Sequence, residues 1–213
     1  MFKSKAGTEF LEKMSWVADM LMFSILWFVF SIPIVTIGAA TSATYRAVQV
    51  RMKEGNGIVW SVFWKTFKNS LPQATVSWLI YFMITLVFGL NQMLLVNDLA
   101  ASWLNHFSQI FLLVVIILIT PILVMVLAYI SRFEDNLKTV WKNAFILSIA
   151  HFKVTLYVLF VTVISVSAVY LIPALVIIVP AFSLSKICPR LETLFNNYTD
   201  EDLLEHLNSK LTL

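Results

Sequence analysis

Four stretches of this 213-residue chain contain no Asp, Glu, Lys or Arg: residues 20–45, 69–96, 106–131 and 154–185. Each is long enough to cross a bilayer, which takes roughly 20 apolar residues in helical form. All 15 basic and all 12 acidic side chains lie outside them, in five short windows. The chain is 60% hydrophobic and 13% charged, against about 45–50% and about 25% in soluble domains. A soluble core still needs a polar skin, and this chain has too little to make one. The expected fold class is therefore all-α, an integral membrane helical bundle that crosses the bilayer several times.

The first window reads as one span through LMFSILWFVFSIPIVTIGAA, the second as about Gln73–Val96 and the third as about Phe107–Ile130. The fourth is too long for one upright span. Pro173 and Pro180 sit in its second half, and proline is disfavoured inside a helix but favoured at its start. A hairpin near Tyr170–Pro173 divides it into two short spans. Five transmembrane helices are expected, with four, the last long and kinked, as the alternative. Residues 46–68 hold five basic side chains and one acidic, and residues 132–153 hold four and two. Excess Lys and Arg marks cytoplasmic loops, so both windows are expected inside and residues 97–105 outside. The first span then starts outside, which leaves Lys3, Lys5 and Lys13 on the unfavoured side.

Both basic loops carry an amphipathic pattern. Trp60, Phe63, Trp64, Phe67 and Leu71 recur at helical spacing in one, and Phe133, Leu137, Val140, Trp141, Ala144 and Phe145 in the other, with lysines opposite. Each is expected to be a basic in-plane amphipathic helix at the membrane interface. Each also follows a proline-containing span, a pattern suggesting a weak internal duplication of the kind some transporters carry. Coincidence is the competing explanation.

Pro33 is expected to kink or restart the helix, and after it small residues recur four apart: Gly38 and Ser42, Ala39 and Ala43, Ala43 and Ala47. Such a stripe lets another helix approach closely. Pro33, Gly38, Ser42, Ala43 and Ala47 are therefore expected in helix packing or partner contact. Most of the seven tryptophans fall near span ends and read as interfacial anchors, whereas Trp27 sits inside the first span. No ionisable group lies in a span core, where pumps and proton-coupled carriers need one. His106, His151 and His206 are scattered and Cys188 is the single cysteine, so neither a metal site nor a disulfide is expected. No phosphate-binding loop, G-x-S-x-G or H-E-x-x-H motif occurs. The expectation is a protein that is not an enzyme, with no catalytic residues and no cofactor. The net charge of +3 is too small to indicate nucleic acid.

Two domains are expected: a transmembrane helical domain, 1–190, and a cytoplasmic amphipathic tail, 191–213. Thr199-Asp200-Glu201-Asp202 has the form of a helix start. Leu203, Leu204, Leu207 and Leu211 then make an apolar stripe, read either as packing on the protein's own helices or as a partner-docking surface. The polar face is acidic, which anionic lipid repels.

The motif order resembles the YesL-like family of small bacterial membrane proteins. It is carried by Ser31-Ile-Pro33 through Ala43, then Phe63-Trp-Lys-Thr-Phe67-Lys-Asn entering Gln73-Ala-Thr-Val-Ser-Trp78. Later come Arg132-Phe133-Glu134-Asp-Asn136, Lys142-Asn143-Ala144 and Ser148-Ile-Ala150-His151. The resemblance implies a multi-pass protein of a bacterial plasma membrane, associated with carbohydrate uptake. The expected function is a non-catalytic accessory or assembly subunit of a carbohydrate ABC importer. The expected partners are membrane lipid and the importer's permease subunits or another membrane protein. A small-molecule permease in its own right is the alternative, and a membrane sensor a third reading.

Overall fold

A computed structural model describes the backbone of residues 5–55, 59–95 and 102–211, and the side chains of 9–55, 60–91 and 106–199. Among the described residues the regular elements are all helices, joined by short turns, with no strand. The helices are α1 (Lys5–Ser31), α2 (Ile37–Glu54), α3 (Val59–Leu95), α4 (Ser102–Arg132), α5 (Leu137–Ala150), α6 (Phe152–Leu171) and α7 (Val179–Leu211). Four segments are long and apolar enough to cross a membrane: Glu9–Ser31, Trp60–Asn91, His106–Arg132 and Phe152–Leu171.

The first charge-free window is not one span, because Pro33 divides it. Proline has no N–H to continue the helix, and it pushes the preceding residue out of helical conformation. Pro33 itself is extended, at φ −73° and ψ 109°. The Thr36 hydroxyl donates to the Phe30 carbonyl at 2.6 Å and lies 2.8 Å from the Pro33 carbonyl oxygen. It thus serves a carbonyl at the end of α1 that has no helical partner. The chain reverses here. Trp27 of α1 meets Thr41 of α2, and Asp19 meets Arg51, so the two helices run antiparallel. The N-terminal half of α1 consequently lies at the same end of the bundle as the basic residues 46–68. This overturns the expectation that Lys13 and the first basic loop face opposite sides; Lys3 lies outside the described residues.

The segment 59–71 is not a separate in-plane helix. It is the first third of α3, which continues through Pro72. Phe63, Phe67, Ser70, Ala74 and Ser77 are all buried and fall on one face by their spacing. They bracket Pro72, which points outward, so tertiary packing holds the helix together across the missing hydrogen bond. Residues 137–150 do form a separate helix, α5, ended at His151 (φ −113°, ψ 52°). The two basic segments are therefore built differently: one is continuous with its span and the other is broken from it. Pro121 likewise lies inside an unbroken α4.

The hairpin in the fourth window is where the prolines place it. α6 ends at Leu171, a 3-10 segment covers Pro173–Ile177, and α7 returns from Val179. Ser165 meets Ser183 and Tyr157 meets Lys186, so α7 runs antiparallel to α6. Its apolar part is short, because Lys186 follows soon after the turn. The helix does not restart at Thr199. Its backbone passes through the 190/191 position without interruption, and the Thr199 hydroxyl donates back to the Phe195 carbonyl as an interior residue.

α2 is the centre of the bundle. Ala39, Ala40, Ala43, Ala47 and Val48 are at most 1% exposed. Ile34, beside the α1–α2 turn, accepts a hydrogen bond from Trp78 at 2.8 Å. α3 continues from there to Leu95, so α3 and α4 extend well beyond that turn.

Candidate functional site

The chemically distinctive residues gather at the end of the bundle where α2, α4 and α7 finish their apolar runs. Tyr45 and Gln49 are one helical turn apart on α2, and Cys188 and Glu192 are one turn apart on α7. Each pair therefore presents one face, and the faces meet. Glu192 is 8% exposed as a side chain. It accepts from the Tyr45 hydroxyl at 3.0 Å and from the Gln49 amide. It also pairs with Lys53 at 3.1 Å and Arg132 at 2.7 Å. A carboxylate this buried persists only when paired and hydrogen-bonded, and four donors from two helices meet that condition. Arg132 also donates to Asn196 at 2.6 Å and lies over the rings of Phe133 and Phe195.

A third ion pair, Arg51 with Asp19, ties α2 to α1. Around the turn after α4, the Tyr129 hydroxyl donates to Asp135 at 2.7 Å and accepts from Asn143 at 3.0 Å, while Gln73 donates to the Asp135 carbonyl at 2.9 Å. The Arg132–Asn136 motif thus clamps α3, α4, α5 and α7 at one end. Burial pushes the Cys188 thiol up to about 12, with the Glu192 charge adding to it. The thiol stays protonated at neutral pH and is a poor nucleophile. Burial raises the Tyr45 phenol in the same direction.

Beside this hub lies an open polar groove of about 640 Å³ between α2, α3 and the turn after α4. Arg46, Glu54, Lys65, Asn69, Gln73 and Glu134 are among its lining residues. Lys65 and Asn69 are exposed and Arg46 is half-buried. Charged groups of both signs and amides on such a rim suit contact with another polar surface. Deeper in the apolar part, a cleft of about 300 Å³ separates α1 and α2 from α6 and α7, lined by Trp27, Thr41, Thr162, Ser165 and Ser183 among apolar residues. Its polar groups are already matched. Trp27 donates to Thr41 at 2.9 Å, Ser165 and Ser183 lie 2.5 Å apart, and Thr162 donates to the Val158 carbonyl. The groove and the cleft share no lining residue.

The small-residue stripe lies inside the bundle. A Cβ on Gly38 would run into the Ala74 carbonyl oxygen and stand 2.8 Å from Trp78 Cβ. The Ser42 hydroxyl donates to the Leu127 carbonyl at 2.8 Å, and Ala43 and Ala47 are buried. These four side-chain positions face the protein's own helices, whereas Pro33 sits exposed at the turn. Leu203, Leu204, Leu207 and Leu211 lie on the helical backbone of α7, but their side chains are outside the described residues. Upstream, Leu191, Leu194 and Phe195 are in the core. Among the described residues, no group of three or more His, Cys, Asp or Glu side chains is placed to hold a metal ion.

Sequence reasoning passed over Glu192, Arg132, Tyr45 and Trp27 as site residues. The i, i+4 pairs Tyr45–Gln49 and Cys188–Glu192 are a legible signal, since polar groups recur there on otherwise apolar faces. Their meeting is a tertiary fact. No curated protein and no solved structure matches the chain. Over residues 20–92, from α1 through the α1–α2 turn into α3, it is similar to a family described as a protein of unknown function, DUF624.

Proposed function

We propose that this protein is a non-catalytic accessory or assembly subunit of a carbohydrate ABC importer in a bacterial plasma membrane. The basic end of its bundle faces the cytoplasm and makes the contact. The observation that carries this reading is the division of the molecule. Small-residue helix α2 fills the centre, while accessible polar side chains collect in the groove beside the Glu192 hub. A bundle filled at its centre, with a polar contact surface at one end, suits holding a partner better than passing a solute. The carbohydrate context rests on the resemblance to the YesL-like family.

A sugar permease is the second reading, favoured by the hydroxyl-lined cleft next to Trp27. Hydroxyls and an aromatic ring suit a sugar, but here they are spent on one another. Co-purification from the native membrane and reconstitution into liposomes separate the two readings. The accessory subunit recovers importer components and moves no sugar alone. Charge reversal at the exposed Lys65→Glu weakens that recovery at least tenfold, about 1.4 kcal/mol, without altering thermal unfolding. Replacing Leu204 and Leu207 with Ser tests the tail in the same assay. Sugar exchange by the purified chain alone would establish the permease and end the accessory reading.

A further inference from the structure

The outer face of α6 borders an open groove of about 770 Å³ whose walls are almost wholly carbon. Leu156, Phe160 and Val163 run along it at three- and four-residue spacing and are each more than half exposed. The groove ends on two cations, Lys153 in the first turn of α6 and Arg190 of α7. Lys153 stands at the start of an apolar segment long enough to cross a membrane, where headgroups lie if α6 spans. The Arg190 guanidinium is stacked 3.2 Å from the Tyr157 ring centre. That stacking fixes the cation while leaving its edge donors available. The Tyr157 hydroxyl is anchored to the Lys186 carbonyl at 3.4 Å. No carboxylate lines the groove, and among the described residues neither Lys153 nor Arg190 forms an ion pair.

An apolar track that ends on two unpaired cations at a membrane interface is complementary to one class of molecule. It needs a hydrocarbon chain joined to an anionic phosphate. We infer that this groove binds an acidic phospholipid of the surrounding bilayer. Its phosphate sits between Lys153 and Arg190, and an acyl chain lies along Leu156, Phe160 and Val163. The site depends on the membrane reading of α6, and not on any importer.

Native mass spectrometry of the purified full chain in mild detergent tests this. The probes are phosphatidylglycerol, phosphatidylcholine of the same acyl chains, and glycerol phosphate as the free headgroup. Phosphatidylglycerol binds in preference to phosphatidylcholine. Lys153→Gln with Arg190→Gln lowers its affinity about 10- to 30-fold, as expected for two interfacial charges. Lys138→Gln with Lys142→Gln, on α5 and outside the groove, leaves the preference in place. Lys153→Arg keeps most of the binding because it keeps the charge. The inference fails if the groove variant binds phosphatidylglycerol like the wild type, or if the two lipids bind equally. It also fails if Lys153→Arg loses as much as Lys153→Gln, since local packing then replaces charge as the cause. Competition by glycerol phosphate as strong as by the whole lipid would assign the groove to a soluble phosphate instead. No importer component enters the assay, so its outcome is independent of the accessory reading.

Discussion

Glu192 shows how a charge is held inside an apolar bundle. Its two cationic partners are not equivalent: the Arg132 side chain is 16% exposed and that of Lys53 is 52%. A half-exposed ion pair is worth about 1 kcal/mol or less because water screens it. Removing one member of a buried pair costs about 3–5 kcal/mol, since the other charge is left without compensation. Glu192→Ala should therefore destabilise the protein by about 3–5 kcal/mol, and Lys53→Ala by under about 1 kcal/mol, read from denaturant unfolding in detergent. Equal losses would mean that the hub is solvated. At the same scale, Gly38 is required by contact rather than by backbone conformation. The Ala74 carbonyl and Trp78 occupy the space of any side chain there. The sequence spacing marks Gly38 as a close-approach residue, but does not say that the approaching helix is α3 of the same chain.

Among the helices, three prolines in similar apolar settings have different consequences. Pro33 reverses the chain, while Pro72 and Pro121 lie within continuous helices. Proline costs a helix interior about 3 kcal/mol, so the decision falls to what packs on either side. Around Pro72, the buried face from Phe63 to Ser77 keeps one contact surface in register. Around Pro33, the chain turns so that α2 can lie against α1. Pro72→Ala should consequently leave helical content unchanged and raise stability, by up to about 3 kcal/mol. Circular dichroism and thermal unfolding check both. A loss of stability would show that the packing of α3 needs proline at position 72. The α5–α6 junction at His151 has no proline, and composition alone does not reveal it.

For the whole molecule, the reversal at Pro33 changes the expected topology. With Asp19 paired to Arg51, the N-terminal half of α1, the end of α2 and the turn after α4 share one end of the bundle. Lys13 then lies at the same end of the bundle as the basic end of α2, as the positive-inside rule would have it. Single cysteines at Lys13, Glu54 and Asn136, in a Cys188→Ser background, should be shielded from an impermeant thiol reagent in intact cells. One at Ser102, the first residue of α4, should label. Labelling at position 13 with protection at 54 would restore the single-span reading of residues 20–45. α3 and α4 continue past the α1–α2 turn with exposed apolar faces that include Met83, Val87, Phe107 and Ile110. This pair therefore offers the greatest apolar length to a bilayer.

What the sequence determined by itself is the class of solvent and the placement of charge. Both follow from composition and from the roughly 20-residue requirement of a bilayer, which act locally along the chain. The hairpin before α7 was equally legible, because Pro173 and Pro180 act on their own backbone. Tertiary structure alone decided that the helix after Pro33 folds back to become the centre of the bundle. Hydropathy records whether a side chain prefers water, and a helix sheathed by its own protein can carry Gln49 and Arg51 without presenting them to lipid. It also decided that Tyr45, Gln49, Arg132 and Glu192 form one site. Their positions span nearly 150 residues of sequence, and only the packing of α2, α4 and α7 brings the charges close enough to compensate one another.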